Sequence, residues 1–205
     1  MVTFLKVLTQ MSAPLVKGKI VFVGDTSVGK TALINSYNKL SINAKPTIGA
    51  NSVACNVDYN GKNVVLNVWD TAGQEDFRCL VPVYARCAQV AVIVFDLTNQ
   101  SSYDSVSEWV RYLKEEVQVP NLLLVGNKDD LNGVVNFNIA MQYAQSQNLS
   151  CIKTSALTGS GVEELFSEIA QFVEEPSVKP EVEQVSFKPV AIHDNQHQTS
   201  GKGCC

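Results

Sequence analysis

KIVFVGDTSVGKTALINSYNKL, residues 19–40, runs from an apolar strand-like stretch through a glycine-bounded loop into a helix-like segment. Lys19–Gly24 reads as a buried strand and Thr31–Leu40 as the helix after it. The intervening GDTSVGKT, residues 24–31, matches G-x-x-x-x-G-K-[ST]. Its two glycines let backbone amides curl around phosphate oxygens, and the helix start adds the positive end of its dipole. The candidate phosphate-binding residues are therefore Thr26, Ser27, Val28, Gly29, Lys30, Thr31 and Ala32. Lys30 has the reach for β- and γ-phosphates, and the Thr31 hydroxyl is a candidate Mg²⁺ ligand.

Outward from this loop, apolar strands keep alternating with helical patterns. Val53–Asp70 contains two strands around Asn60-Gly61, a pair that favours a type I′ hairpin turn. Val90–Leu97 and Asn121–Gly126 are continuous apolar strands, and Leu149–Ser155 is another. Helical periodicity covers Ser101–Val117, Asn136–Gln147 and Gly161–Val173. This alternation predicts an α/β fold: a doubly wound, mostly parallel six-stranded sheet, one antiparallel edge strand and about five helices. Ligands in such sheets bind beyond the carboxyl ends of the strands.

Two further motifs fall at such ends. Asn127-Lys128-Asp129-Asp130 follows a strand, and the Asp130 carboxylate can accept from guanine N1–H and the exocyclic amine together. Adenine offers no such donor pair. Asp70-Thr71-Ala72-Gly73-Gln74 ends another strand. There Asp70 is placed to hold Mg²⁺ through water, Gly73 to offer a backbone N–H to a γ-phosphate, and Gln74 to orient the attacking water as the catalytic residue.

Composition narrows the class. Apolar residues make up 45% of the 205-residue chain and charged ones 18%, enough for one real core plus a tail. The net charge of −4 and the lack of a basic stripe argue against nucleic-acid binding. The six cysteines contain no C-x-x-C pair, which points to a reducing compartment. No apolar run approaches the ~20 residues of a membrane span. Residues 1–16 are expected to be a flexible extension, with Met1 or Met11 as the start, 17–174 the folded domain and 175–205 a disordered tail. His193 and His197 are read as ordinary polar residues of that tail.

In order, spacing and wording, GDTSVGKT, WDTAGQE and NKDD together resemble the Ras superfamily of small GTPases over about residues 17–172. The resemblance implies the P-loop NTPase G domain, binding GTP and GDP with Mg²⁺ and hydrolysing GTP slowly without an activating protein. It locates Thr47 as the switch I threonine that completes Mg²⁺ coordination alongside Thr31. It also places Ser155, Ala156 and Leu157 against the base, with Asn127 and Lys128. WDTAGQE followed by FRCLVPVYARCA is similar to the Rab branch; Asp76 is also compatible with the Rho branch. Only 27 residues lie between Asn127 and Ser155, too few for the additional Rho helix. A nucleotide-bound module without turnover and a Rho-like signalling GTPase stand as alternatives.

A Rab likeness implies a switch in vesicular trafficking, on the cytoplasmic face of an intracellular membrane and cycling with the cytosol. It implies an exchange factor, a GTPase-activating protein, effectors and a prenyl-binding carrier as partners, and a monomeric protein. The adjacent Cys204 and Cys205 are the expected prenylation sites. From residue 175 onward three lysines face three glutamates and one aspartate, so no basic patch helps, and two lipids are needed for firm anchoring. Departures from the family pattern are a short switch I, Ile42 where an aromatic is usual, Leu157 in place of lysine and Ser52 in place of an effector-face aromatic.

Overall fold

The computed structural model describes residues 16–43, 47–73 and 80–174. Six strands, β1 (Val16–Val23), β2 (Ala50–Tyr59), β3 (Lys62–Thr71), β4 (Val90–Asp96), β5 (Asn121–Asn127) and β6 (Ser150–Lys153), form one sheet in the order β2-β3-β1-β4-β5-β6. Only β2, at one edge, runs antiparallel to its neighbour; the other pairings are parallel. Asn60 and Gly61 both have positive φ, 51° and 73°, the left-handed pair that a type I′ hairpin turn requires.

Period-2 alternation distributes the core over both faces. Ile20 and Phe22 of β1 point to one side, with Leu66 and Val68, under α1 (Lys30–Tyr37) and α6 (Val162–Glu174). Val21 and Val23 point to the other, beneath α2 (Val81–Ala85), α4 (Val106–Tyr112) and α5 (Phe137–Ser146). Burial on both faces explains why β4 is apolar throughout until Asp96. Strand order reverses beside β1, so the loop following Val23 opens at the topological switch point.

Several boundaries differ from expectation. The segment read as one helix over 101–117 is α3 (Gln100–Asp104), α4 and a π-helical turn (Leu113–Val117), closed by Gln118 at φ 59°. Apolar spacing survives such a break, so periodicity alone does not reveal it. β2 starts at Ala50, β1 starts at Val16, α1 stops at Tyr37 and β6 is only four residues long. The five-residue α2, with Pro82 in its first turn, is too short to carry a periodic signal. No helix among the described residues is long and apolar enough to cross a membrane. The tail, Gln74, Cys204 and Cys205 lie outside the described residues.

Candidate functional site

The loop between β1 and α1 is shaped by two close backbone approaches. A Cβ on Gly24, at φ 130°, would stand 2.1 Å from the Val94 carbonyl oxygen. One on Gly29, at φ 99°, would stand 2.3 Å from Asn127 Nδ2. Only glycine fits at either position. Gly29 also caps α1 without a side chain, leaving the first helical amides for a ligand. Thr26 and Ser27 are exposed, Val28 is buried, and Ala32 packs on the core beneath.

Lys30 is 6% exposed, and its ammonium donates to the Gly24 and Asp25 carbonyl oxygens, both at 2.8 Å. Burial pulls its pKa down to about 8, against the opposing pull of the Asp70 and Asp25 carboxylates. Nearby, the Thr31 hydroxyl donates to Asp70 Oδ2 at 2.6 Å and the Thr47 hydroxyl to the same oxygen at 3.0 Å. The two hydroxyl oxygens are 3.1 Å apart. Burial pushes the Asp70 carboxyl up in pKa, while these hydroxyls and the Lys30 charge act the other way. The other carboxylate oxygen, Asp70 Oδ1, is buried and has no hydrogen-bond partner among the described residues.

Two hydroxyls converging on a carboxylate with one unsatisfied buried oxygen make a hard-oxygen donor set, which fits a small divalent cation such as Mg²⁺. Gly73 borders the same point. A Cβ there would be 2.4 Å from the Asp25 carbonyl oxygen and 2.6 Å from Lys30 Nζ.

At the other end, Asn127 joins three segments. Its Nδ2–H donates to the Val28 carbonyl at 2.9 Å. Its Oδ1 accepts from the Ala156 backbone N–H at 3.1 Å and from the Thr154 hydroxyl at 3.3 Å. Asp130 Oδ1 accepts a short hydrogen bond from the Ser155 hydroxyl. Lys128, at φ 69°, pairs with Asp96 Oδ2 at 2.6 Å, and Thr98 holds the second Asp96 oxygen through its N–H and hydroxyl. Leu157 is exposed.

The structure thus gathers the described members of the predicted set into two clusters at the carboxyl ends of β1, β3, β5 and β6. Asp96 was missed by sequence reasoning, although a carboxylate ending an otherwise apolar strand is itself a signal. A second missed contact is the Trp109 indole N–H donating to Asp25 Oδ1.

Beyond this site, the hairpin register sets exposed Ser52 opposite Trp69. Trp69 is half-buried, stacks on Tyr84 with centroids 5.7 Å apart, and carries the Lys19 ammonium 4.9 Å above its ring. It therefore serves strand packing and a surface face at once. Ile48 and Val83 are exposed apolar residues near either end of this region in the chain.

A family model described as "Ras family" matches residues 19–175. The chain is 32% identical to "Ras-related protein YPTC6" of Chlamydomonas reinhardtii over 91% of this chain and 94% of the relative. It is 36% identical to "GTP-binding protein ypt3" of Schizosaccharomyces pombe, covering 91% and 95%. With "Ras-related protein Rab-4" of Dictyostelium discoideum it shares 41% over 76% of this chain and 78% of the relative. On the matched span, the glycine-bounded loop and these relatives, the chain belongs to the Ras family, as a small GTPase of the Rab type.

Proposed function

We propose that the chain is a Rab-like switch that binds GTP, recruits effectors to an intracellular membrane in vesicular trafficking, hydrolyses GTP slowly and resets. The observation that carries this reading is the meeting of Thr31, Thr47 and the half-satisfied Asp70 carboxylate beside buried Lys30. In this reading Thr31, Thr47 and Asp70 are the residues that would hold Mg²⁺. When bound, the cation would supply charge neutralisation at the phosphates.

The protein's own contribution is positioning. Backbone amides of Thr26–Ala32 and the Lys30 ammonium hold phosphate oxygens, and the Gly73 N–H faces the γ-phosphate. Gln74 orients the water, which leaves little covalent chemistry for side chains. Asp130 accepts from the guanine edge, Ser155 braces Asp130, and the Ala156 and Leu157 backbone lies along the base with Asn127 and Lys128. With no lysine at position 157 and Ile42 in place of an aromatic, the base is gripped less tightly than in the family pattern.

The remaining parts of the reading concern membranes and partners. In this reading residues 175–205 serve as the membrane tether, with prenyl groups on Cys204 and Cys205. Effectors meet the face containing Ser52, Trp69 and Tyr84. Turnover and exchange depend on an activating protein and an exchange factor, and a prenyl-binding carrier returns the GDP form to the cytosol.

The test uses fluorescent GDP and ATP analogues, followed by phosphate release with and without Mg²⁺. The reading requires guanine-selective binding and Mg²⁺-dependent release at ~10⁻⁴ to 10⁻² s⁻¹ without help. Binding with no turnover would identify a pseudo-switch instead. For the anchor, Cys204→Ser with Cys205→Ser should leave nucleotide binding intact and abolish pelleting with membranes.

A further inference from the structure

Asp25 is the second residue of the glycine-bounded loop, yet its side chain turns toward another element. Asp25 Oδ2 accepts the Ser105 hydroxyl at 2.8 Å and Asp25 Oδ1 accepts the Trp109 indole N–H at 3.2 Å. Ser105 marks the break between α3 and α4, and Trp109, 4% exposed, sits one turn later in the second core. A serine opening a helix ordinarily accepts from that helix's own amides. Here Ser105 makes no such side-chain cap, although Ser101 O at 3.2 Å is a second, longer acceptor for its hydroxyl. A bond to an ionised acceptor is the stronger of the two.

The backbone of the same residue reaches the site. The Asp25 carbonyl accepts from Lys30 Nζ at 2.8 Å and abuts Gly73. A carboxylate among phosphate-binding amides would repel the ligand, so holding it on α4 removes an obstacle as well as bracing the loop.

We propose that Asp25 is a positioning residue: the Ser105–Asp25–Trp109 clasp fixes the first turn of the phosphate loop onto α4 and thereby sets how long the nucleotide stays bound. This deepens the reading of the chain as a guanine-nucleotide switch and rests on it. Both bonds of the clasp end on Asp25, so removing its carboxylate loses them together and a further change at Ser105 has nothing left to remove. Loss of the clasp lets the Asp25 carbonyl, and with it the Lys30 ammonium, leave the phosphate position.

The experiment is the dissociation rate of fluorescent GDP from the full chain bearing Asp25→Ala, Ser105→Ala, both together, or Asp25→Asn. Asp25→Ala and Ser105→Ala should each speed release about tenfold, and the double variant no more than the faster single one. Asp25→Asn retains one acceptor oxygen and should lie between wild type and Asp25→Ala. The GDP-to-ADP preference should stay at its wild-type value in all four, because the base end is braced separately. Release within twofold of wild type in Asp25→Ala, or effects that multiply in the double variant, would overturn the clasp. If Asp25→Ala does not fold, Trp109→Phe, which keeps a ring in the core and loses the N–H, decides the matter. Faster release supports the clasp and unchanged release sinks it. A wild-type chain that holds no GDP would refute the switch reading itself, a result distinct from any of these.

Discussion

The two ends of the proposed nucleotide site are built on different principles. At the base end, polar groups pair with one another: Asn127 is held by Val28, Thr154 and Ala156, Asp130 by Ser155, and Lys128 is paired with Asp96. At the phosphate end, among the described residues, buried Lys30 donates only to carbonyl oxygens and Asp70 has a buried oxygen with no partner. A buried unsatisfied oxygen costs about 1–3 kcal/mol. In the proposed reading the base end is organised before ligand arrives and sets selectivity, whereas the phosphate end is completed by ligand and stores the sensitivity a switch needs.

The contrast breaks if selectivity survives damage to the base end. Asp130→Ala should lower the preference for GDP over ADP by about 10⁴-fold, because the paired donors of guanine are left unmatched. Competition of both nucleotides against fluorescent GDP measures the ratio, and an unchanged ratio would move the source of selectivity elsewhere.

At the phosphate end, Gly73→Ala puts a methyl group 2.4 Å from the Asp25 carbonyl oxygen, so the chain after Asp70 must move away. Misplacement on this scale should slow single-turnover hydrolysis by about 10²-fold. GDP affinity should change far less, and equal losses in both would show that the two ends are not separable.

A milder probe is Thr47→Ala, which removes one of the two hydroxyls on Asp70 Oδ2. GTP binding in Mg²⁺ should weaken about tenfold, with Thr47→Ser restoring it and GDP binding little altered. Titration over a range of Mg²⁺ concentrations gives the comparison.

The smallest effect tests how self-sufficient the base end is. Burial works to raise the Asp96 carboxyl, but the Lys128 ammonium and Thr98 donors outweigh it and hold the group below its ordinary pKa. The unfolded chain then binds more protons than the folded one as pH falls through the ordinary carboxylate range. Stability from this group is present above about pH 5 and lost on acidification through the folded pKa. Asp96→Asn should flatten that part of the profile by at most about 1 kcal/mol in denaturant titrations, since Lys128 is partly solvent-screened.

These differences also explain what could be read in advance. The sheet and its edge hairpin were legible because burial on two faces forces apolar runs, and Asn60-Gly61 names its own turn. The phosphate loop was legible because glycine is obligatory where Val94 O and Asn127 crowd the backbone. Ser155 was identifiable only through family resemblance, since a lone serine after a short strand carries no chemical signature. Trp109 looked like any apolar residue on a helix face, and its indole N–H gave no hint of an acceptor 84 positions away.

What the sequence by itself determined is local and periodic: strand alternation, the turn, the loop glycines and the order of the motifs along the chain. What only the tertiary structure decided are the bonds between distant segments, such as Asp25 to Ser105 and Trp109, Asp96 to Lys128, and Thr31 with Thr47 on Asp70. Periodicity reports which face of an element is buried, because that choice repeats along the chain. It carries nothing about which donor meets which acceptor, because that depends on the relative placement of elements that only packing sets.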